Sequence, residues 1–401
     1  MKWRTDLSVR SVAPFARFDD MVVGATTTFA SPCRELVAVT PSEVMPLLAE
    51  VQAATEGGAW AYGYLAYEAA AGIDESLAVV APTGDGPTMP LAWFGITTQR
   101  PAVTRPAALG PKTGYHAGPW ILAWSKEVHR RAVARVKTAI ADGDTYQCNL
   151  TTRIRAPFAG DTGHFYLDLL RAQRCRCGAY LDLPYATIAS ASPELFFRWT
   201  TNTILTRPMK GTARRGPTPS EDRQRLADLL GSEKERAENI MIVDLLRNDL
   251  GKIAEVGSVT VPALLRPEGY ETVWQLTSDV TAKPRAETGI ADIIHALFPS
   301  GSVTGAPKPA TMKLICELEA VPRGVYCGAI GFVAPAGSPL RAQFSVAIRT
   351  AVIDRERGQA EYGAGSGITW DSDADAEYAE IEAKTTILHR PTVVRRTDVP
   401  R

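Results

Sequence analysis

The sequence predicts an α+β fold. Three observations carry it: long runs in which apolar and polar residues alternate, helical periodicities standing apart from those runs, and no regular succession of βαβ units. Residues 1–100 read as an irregular α+β region, where short apolar runs such as Leu36-Val37-Ala38-Val39 alternate with Pro and Gly. Within it, residues 59–72 are rich in Ala, Tyr and Trp and predict packed core, interrupted by Glu68. Residues 81–90 hold Pro82, Gly84, Gly86, Pro87 and Pro90 and predict a loop. Residues 101–119 carry four prolines and three glycines and are the best linker candidate.

Beyond that point the periodicity sharpens. Val128, Ala132, Val133, Val136 and Ile140 recur at helical spacing, and Gly143 stops the helix. Residues 147–155 alternate strictly, with Cys148, Leu150, Thr152 and Ile154 on one face, and predict a strand. Residues 185–199 and 203–207 read as further strands. Ser232 and Glu235 have capping-box spacing and open a helix that ends near Gly251. Apolar strands follow around Gly324, Gly328 and Gly331 and over 344–352, and a last helix covers 373–389, before Pro391.

Composition narrows the function classes. The 401 residues are 45% hydrophobic and 22% charged, an ordinary globular balance with room for a large core. Lys plus Arg equals Asp plus Glu at 44 each, which argues against a nucleic-acid partner. Arg4, Asp6 and Arg10 interrupt the place a signal peptide would occupy, and no run of about 18 apolar residues predicts a membrane helix. Six cysteines without a Cys-x-x-Cys pair predict reduced thiols in the cytoplasm, the Cys175-x-Cys177 spacing included.

Four constellations have chemical potential, and each also has a plain structural reading. Lys210, in Thr206-Arg207-Pro208-Met209-Lys210-Gly211-Thr212, follows a strand at a bend set by Pro and Gly. Among apolar walls such a lysine is a nucleophile or base; in water it is a turn residue. Glu194, in Ser192-Pro193-Glu194, lies one strand-turn-strand away, and burial would make it a general acid. Glu235 and Glu238 are i, i+3 on one helix, as are Glu377 and Glu380 on another. If those faces meet, the carboxylates converge and call for a hard cation such as Mg²⁺; if not, they are solvated faces, and Lys384 is only a salt-bridge partner four residues after Glu380. The glycine-rich Tyr362-Gly363-Ala364-Gly365-Ser366-Gly367-Ile368 reads as a tight turn or as backbone open to an anion. Arg349 and Tyr326 lie on neighbouring predicted strands and could complete a carboxylate pocket.

Together these segments resemble one family. Gly143-Asp144-Thr145-Tyr146-Gln147, Ser192-Pro193-Glu194, Pro208-Met209-Lys210-Gly211-Thr212, Arg236-Ala237-Glu238-Asn239 with Asp244-Leu245-Leu246-Arg247-Asn248-Asp249, the loop 300–307, Arg323-Gly324-Val325-Tyr326 and Gly363-Ala364-Gly365 follow the order found in chorismate-utilising enzymes. That family includes the anthranilate synthase large subunit, aminodeoxychorismate synthase component I, and isochorismate and salicylate synthases. The resemblance implies two stacked antiparallel β-sheets forming a sandwich flanked by helices. Residues 1–119 would be the N-terminal part of the sandwich, 120–390 the chorismate-binding catalytic region and 391–401 a tail. It implies Glu238 and Glu380 as Mg²⁺ ligands, with Glu235 and Glu377 in support and the metal holding the ring carboxylate. Arg349, Tyr326, Gly363 and Gly365 would hold substrate carboxylates, and Thr212, Ser302 and Lys384 would line the site.

Two positions separate the branches. Isochorismate and salicylate synthases carry a water-activating lysine where this chain has Gln147. Anthranilate synthases usually carry alanine at Lys210, whereas lysine in Pro-x-Lys-Gly-Thr marks the branch that aminates chorismate at C4, with Lys210 as covalent nucleophile and Glu194 as general acid. Gln275 stands where many relatives have histidine; it can hydrogen-bond but cannot titrate. No Gly-x-Cys-x-Gly glutaminase motif occurs, so ammonia is expected from a separate glutamine amidotransferase subunit or from solution. The alternatives are an anthranilate or isochorismate synthase, or a silent regulatory subunit that binds chorismate or an amino acid without turnover.

Overall fold

A computed structural model describes residues 15–81, 89–106, 114–270 and 273–389. The N-terminal ten residues, most of the 81–90 loop, residues 107–113 and the 391–401 tail lie outside the described residues.

Among the described residues, one sheet has eleven strands and the other ten, all pairings antiparallel. The first runs, edge to edge, through Gly305–Ala306, Gln147–Gly160, Gln359–Ile368, Thr350–Asp354, Ala186–Ser192, Cys177–Asp182, Phe15–Asp20, Ala25–Phe29 and Ala102–Thr104. The second runs through Met209–Arg214, Val273–Ala282, Ile204–Arg207, Leu195–Thr200, Leu340–Val346, Ala329–Val333, Trp60–Leu65, Ala92–Thr97 and Arg34–Ala38. The N-terminal strands are thus built into both sheets. Residues 101–119 are not the linker expected from their prolines and glycines: they supply the edge strand Ala102–Thr104 and the strand Tyr115–Ala117, which pairs with Gln147–Gly160.

Phe29, Tyr62, Tyr64, Trp93, Leu181, Ile188 and Phe332 pack between the sheets. The outer face of the second sheet is covered by helices Val44–Glu56, Glu233–Gly251 and Ile290–Leu297, and that of the first by Thr162–Gln173 and Ala374–Thr385. The α+β sandwich with outer helices agrees with the expected fold.

Local signals explain most boundaries. Ser125, Asp161, Thr218, Ser232 and Asp373 each accept a backbone N–H at a helix start. The helix expected over 128–140 spans Lys126–Ala141, and the last helix runs Ala374–Thr385 before a 3₁₀ turn Thr386–His389. Two further expectations change. The run 185–199 is two strands, parted at Pro193-Glu194, because the chain crosses there from one sheet to the other. The glycine-rich 362–368 segment is neither a turn nor a loop but the end of the strand Gln359–Ile368.

Candidate active site

The two sheets share a seam where the chain crosses between them twice. Ala186–Ser192 passes through Pro193-Glu194 into Leu195–Thr200, and Leu340–Val346 passes through residues 347–349 into Thr350–Asp354. Ser192 Oγ donates to Val346 O at 2.6 Å, Val346 N to Glu194 O at 3.2 Å and Ala191 N to Arg349 O at 3.0 Å, so the crossings are stapled together. Glu194 and Arg349 therefore sit side by side at the seam, Arg349 with φ +53°.

Lys210 reaches the same place through a β-bulge. Met209 faces Thr277 and Thr212 faces Gln275, so one extra residue is inserted, with Gly211 at φ +90°. A bulge with glycine in that conformation re-aims the neighbouring side chain. A Cβ built on Gly367 would lie 3.2 Å from Lys210 Nζ and 2.6 Å from Gln147 Nε2. A Cβ on Gly363 would lie 2.2 Å from the Tyr326 ring. The alternate glycines of this strand thus clear space for Tyr326, Gln147 and Lys210. Gln147 is buried and its Oε1 has no hydrogen-bond partner.

One cavity of about 700 Å³ opens beside the glycine strand, and every site residue expected from the sequence lines it: Glu194, Lys210, Thr212, Glu235, Glu238, Ser302, Tyr326, Arg349, Gly363, Gly365, Glu377, Glu380 and Lys384. Glu194 is buried, and that burial pushes its carboxyl up to about 7 against the opposing pull of the Ser302 hydroxyl and the Lys210 charge. Ser302 is carried by the loop 300–304, which Arg323 Nη1 and Asn149 Nδ2 hold through Val303 O at 2.6 and 3.2 Å. Arg349 Nη1 donates to Lys384 O at 2.7 Å. Lys384 Nζ donates to Gly365 O and pairs with Glu380 Oε1, each at 2.6 Å, so its helix salt bridge is also an anchor to the glycine strand.

The helices Glu233–Gly251 and Ala374–Thr385 bring their glutamate pairs to one wall of the cavity. Burial, then the neighbouring carboxylates, push Glu238 up to about 7 against the Lys210 and Lys234 charges, and burial also raises Glu235. Burial works to raise Glu380 as well, but Lys384, joined by the Lys210 and Lys234 charges, outweighs it and the carboxyl lies below its usual value. Among the described residues no three His, Cys, Asp or Glu side chains form a ready-made metal centre. Even so, four hard oxygen donors crowding one wall suit a cation such as Mg²⁺. Sequence reading missed Lys234 as a site residue. It lies between Ser232 and Glu235 of the capping box and lines the cavity, and its i, i+4 spacing to Glu238 is the signal that could have found it.

Comparison with known proteins follows the same line. The family model described as chorismate binding enzyme matches residues 13–390. Aminodeoxychorismate synthase component 1 of Escherichia coli strain K12 is 40% identical over 261 residues, 65% of this chain and 56% of that protein. An anthranilate synthase component 1 of Haloarcula marismortui is 42% identical over 256 residues, 64% of this chain and 51% of that protein. The chain thus spans little more than half the length of these relatives. The crystal structure of anthranilate synthase component I from Streptococcus pneumoniae TIGR4 superposes with a TM-score of 0.77 at 25% identity, covering 96% of this chain and 95% of that one. No helix among the described residues is long and apolar enough to cross a membrane.

Proposed function

This chain belongs to the family of chorismate binding enzymes, and from that premise we propose that it aminates chorismate at C4 to give 4-amino-4-deoxychorismate, the precursor of p-aminobenzoate and folate. The observation that carries the reading is Lys210, turned into the cavity by a glycine bulge and sharing it with the buried acid Glu194. The relatives bear both names, aminodeoxychorismate and anthranilate synthase, at similar identity. Lys210 favours the first, because direct addition of ammonia at C2, as in anthranilate synthesis, needs no lysine there.

The chemistry follows from these groups. Once the Lys210 ammonium has passed a proton to solvent, its amine attacks C2, the diene shifts, and the C4–O bond breaks as Glu194 gives its proton to the departing hydroxyl, which leaves as water. A carboxyl held at about 7 retains that proton near neutrality. Ammonia then bonds to C4, the double bonds shift back, the C2–N bond to Lys210 breaks, returning the amine, and the new C4 ammonium gives a proton back to the Glu194 carboxylate. Arg349 and Tyr326, with backbone N–H groups near Gly363 and Gly365, would hold the substrate carboxylates, and Thr212, Ser302 and Lys384 would border the ring. Mg²⁺, held by Glu238 and Glu380 with Glu235 and Glu377 in support, would supply charge neutralisation and a grip on the ring carboxylate. Ammonia would come from a separate glutamine amidotransferase subunit, and six free thiols fit a reducing, cytoplasmic setting.

The test is to incubate the protein with chorismate, Mg²⁺ and ammonium salt and identify the product. The 4-amino compound is expected; anthranilate would overturn the reading in favour of the second name.

A further inference from the structure

Three ammonium groups face the four glutamates, and they are not equivalent. Lys384 is fixed at both sides, to Glu380 and to Gly365 O. Lys210 belongs to the bulge. Lys234 is different: its Nζ lies 3.4 Å from Glu377 Oε1 and 4.0 Å from Glu238 Oε1. Those two carboxylates come from different helices, so this single ammonium spans the gap between the glutamate pairs. Its contacts are long, and its side chain is 39% exposed, leaving a path into solvent. A lysine head is a compact, strongly hydrated charge on a flexible stem and gives up such a place readily. Glu377 has a second partner, accepting from Ser372 Oγ at 2.7 Å, which keeps its carboxylate in position when the ammonium leaves.

We propose that Lys234 is a built-in counter-cation of the acidic wall, and that a divalent cation binds there by displacing its ammonium into solvent. Lys234 thereby sets the affinity for the metal. This rests on the reading that the wall takes Mg²⁺. Glu238 is an expected ligand of the metal and Glu377 a supporting one, so the two charges compete for these carboxylates; removing the resident one strengthens binding of the incoming one, and binding of the metal must release the lysine by the same factor.

Two measurements on the full chain, without substrate, test this. In calorimetric titration with MgCl₂, Lys234→Met should bind about five- to tenfold more tightly than wild type. Lys234→Arg, which keeps the charge, should not bind more tightly than wild type. Lys283→Met removes the same charge from a surface pair with Glu255 and should leave the affinity unchanged. In the second measurement, acylation of Lys234 in the wild-type protein, followed by peptide mass spectrometry, should quicken when MgCl₂ is added. Wild type that binds Mg²⁺ while Lys234→Met binds no more tightly, or Lys234 acylation that does not respond to Mg²⁺, overturns this inference alone. Wild type that takes up no Mg²⁺ overturns the metal reading and this inference with it.

Discussion

In the proposed exchange Lys210 and Glu194 carry different halves, and single substitutions separate them. Lys210→Ala removes the nucleophile but leaves the acid; 4-amination should fall by about 10²-fold or more, measured by chromatographic product assay. Turnover at the wild-type rate would end the covalent route. Glu194→Gln keeps the shape and removes the proton. The pH profile identifies the acid independently. Burial holds the Glu194 carboxyl at about 7, so it is protonated below that pH and loses its proton above it. With free ammonia held constant, the ratio of wild-type kcat/KM to that of Glu194→Gln, in which the titration of Lys210 common to both cancels, should therefore fall about tenfold per unit as pH rises beyond about 7. A ratio that stays constant from about pH 6 to pH 8.5 would exclude Glu194 as the acid whose proton is required.

Two elements decide where those side chains point, and both depend on glycine. At the bulge, Gly211 has φ +90°, and a Cβ there would stand 3.1 Å from both Glu235 Oε2 and Leu276 Cδ1. Gly211→Ala should therefore cost about 1–2 kcal/mol, seen as a lower Tm. It should also reduce 4-amination by at least about tenfold, because a relaxed bulge no longer aims Lys210. Intact-mass spectrometry with chorismate should find less adduct on the variant, and undiminished adduct would show that the bulge does not aim the amine. The glycine strand is the clearest case of a pattern read for the wrong reason. Alternating glycine signals a turn as readily as a strand, and only the side chains packed against it, Tyr326, Gln147 and Lys210, explain why one face must lack Cβ atoms. The glutamate pairs were legible because i, i+3 spacing needs no tertiary knowledge. Lys234 was not, since its meaning depends on Glu377, 143 residues away in the chain.

At the scale of the whole molecule, the N-terminal segment reaches the site through Glu68, which the sequence exposes only as a charge inside an aromatic, alanine-rich run. The buried carboxylate accepts Arg323 N at 2.6 Å and Gly324 N at 2.9 Å. Arg323 in turn donates to Val303 O and Asn149 O at 2.6 and 2.7 Å and pairs with the buried Glu319. One cluster thus links a turn, a strand and the Ser302 loop, which belong to distant parts of the chain, and no local periodicity predicts such a hub. The linkage has a measurable consequence. Burial raises the Glu68 carboxyl from 4.5 to about 7, with Glu194 raised to the same value. Between those values the folded chain binds more protons than the unfolded one. Stability from these two groups is therefore full below about 4.5, declines as pH rises to about 7 and then levels off. Each can contribute up to about 1.4 kcal/mol per pH unit to that slope. Calorimetry should thus record a Tm that falls from about pH 5 to pH 7 and changes less above it. Glu68→Gln, neutral at every pH, should flatten the fall while weakening the clamp on Arg323 and Gly324, so that the variant's deficit is largest at pH 5. A slope identical to wild type would mean that Glu68 is already ionised in the folded protein, and that its two backbone N–H bonds outweigh burial.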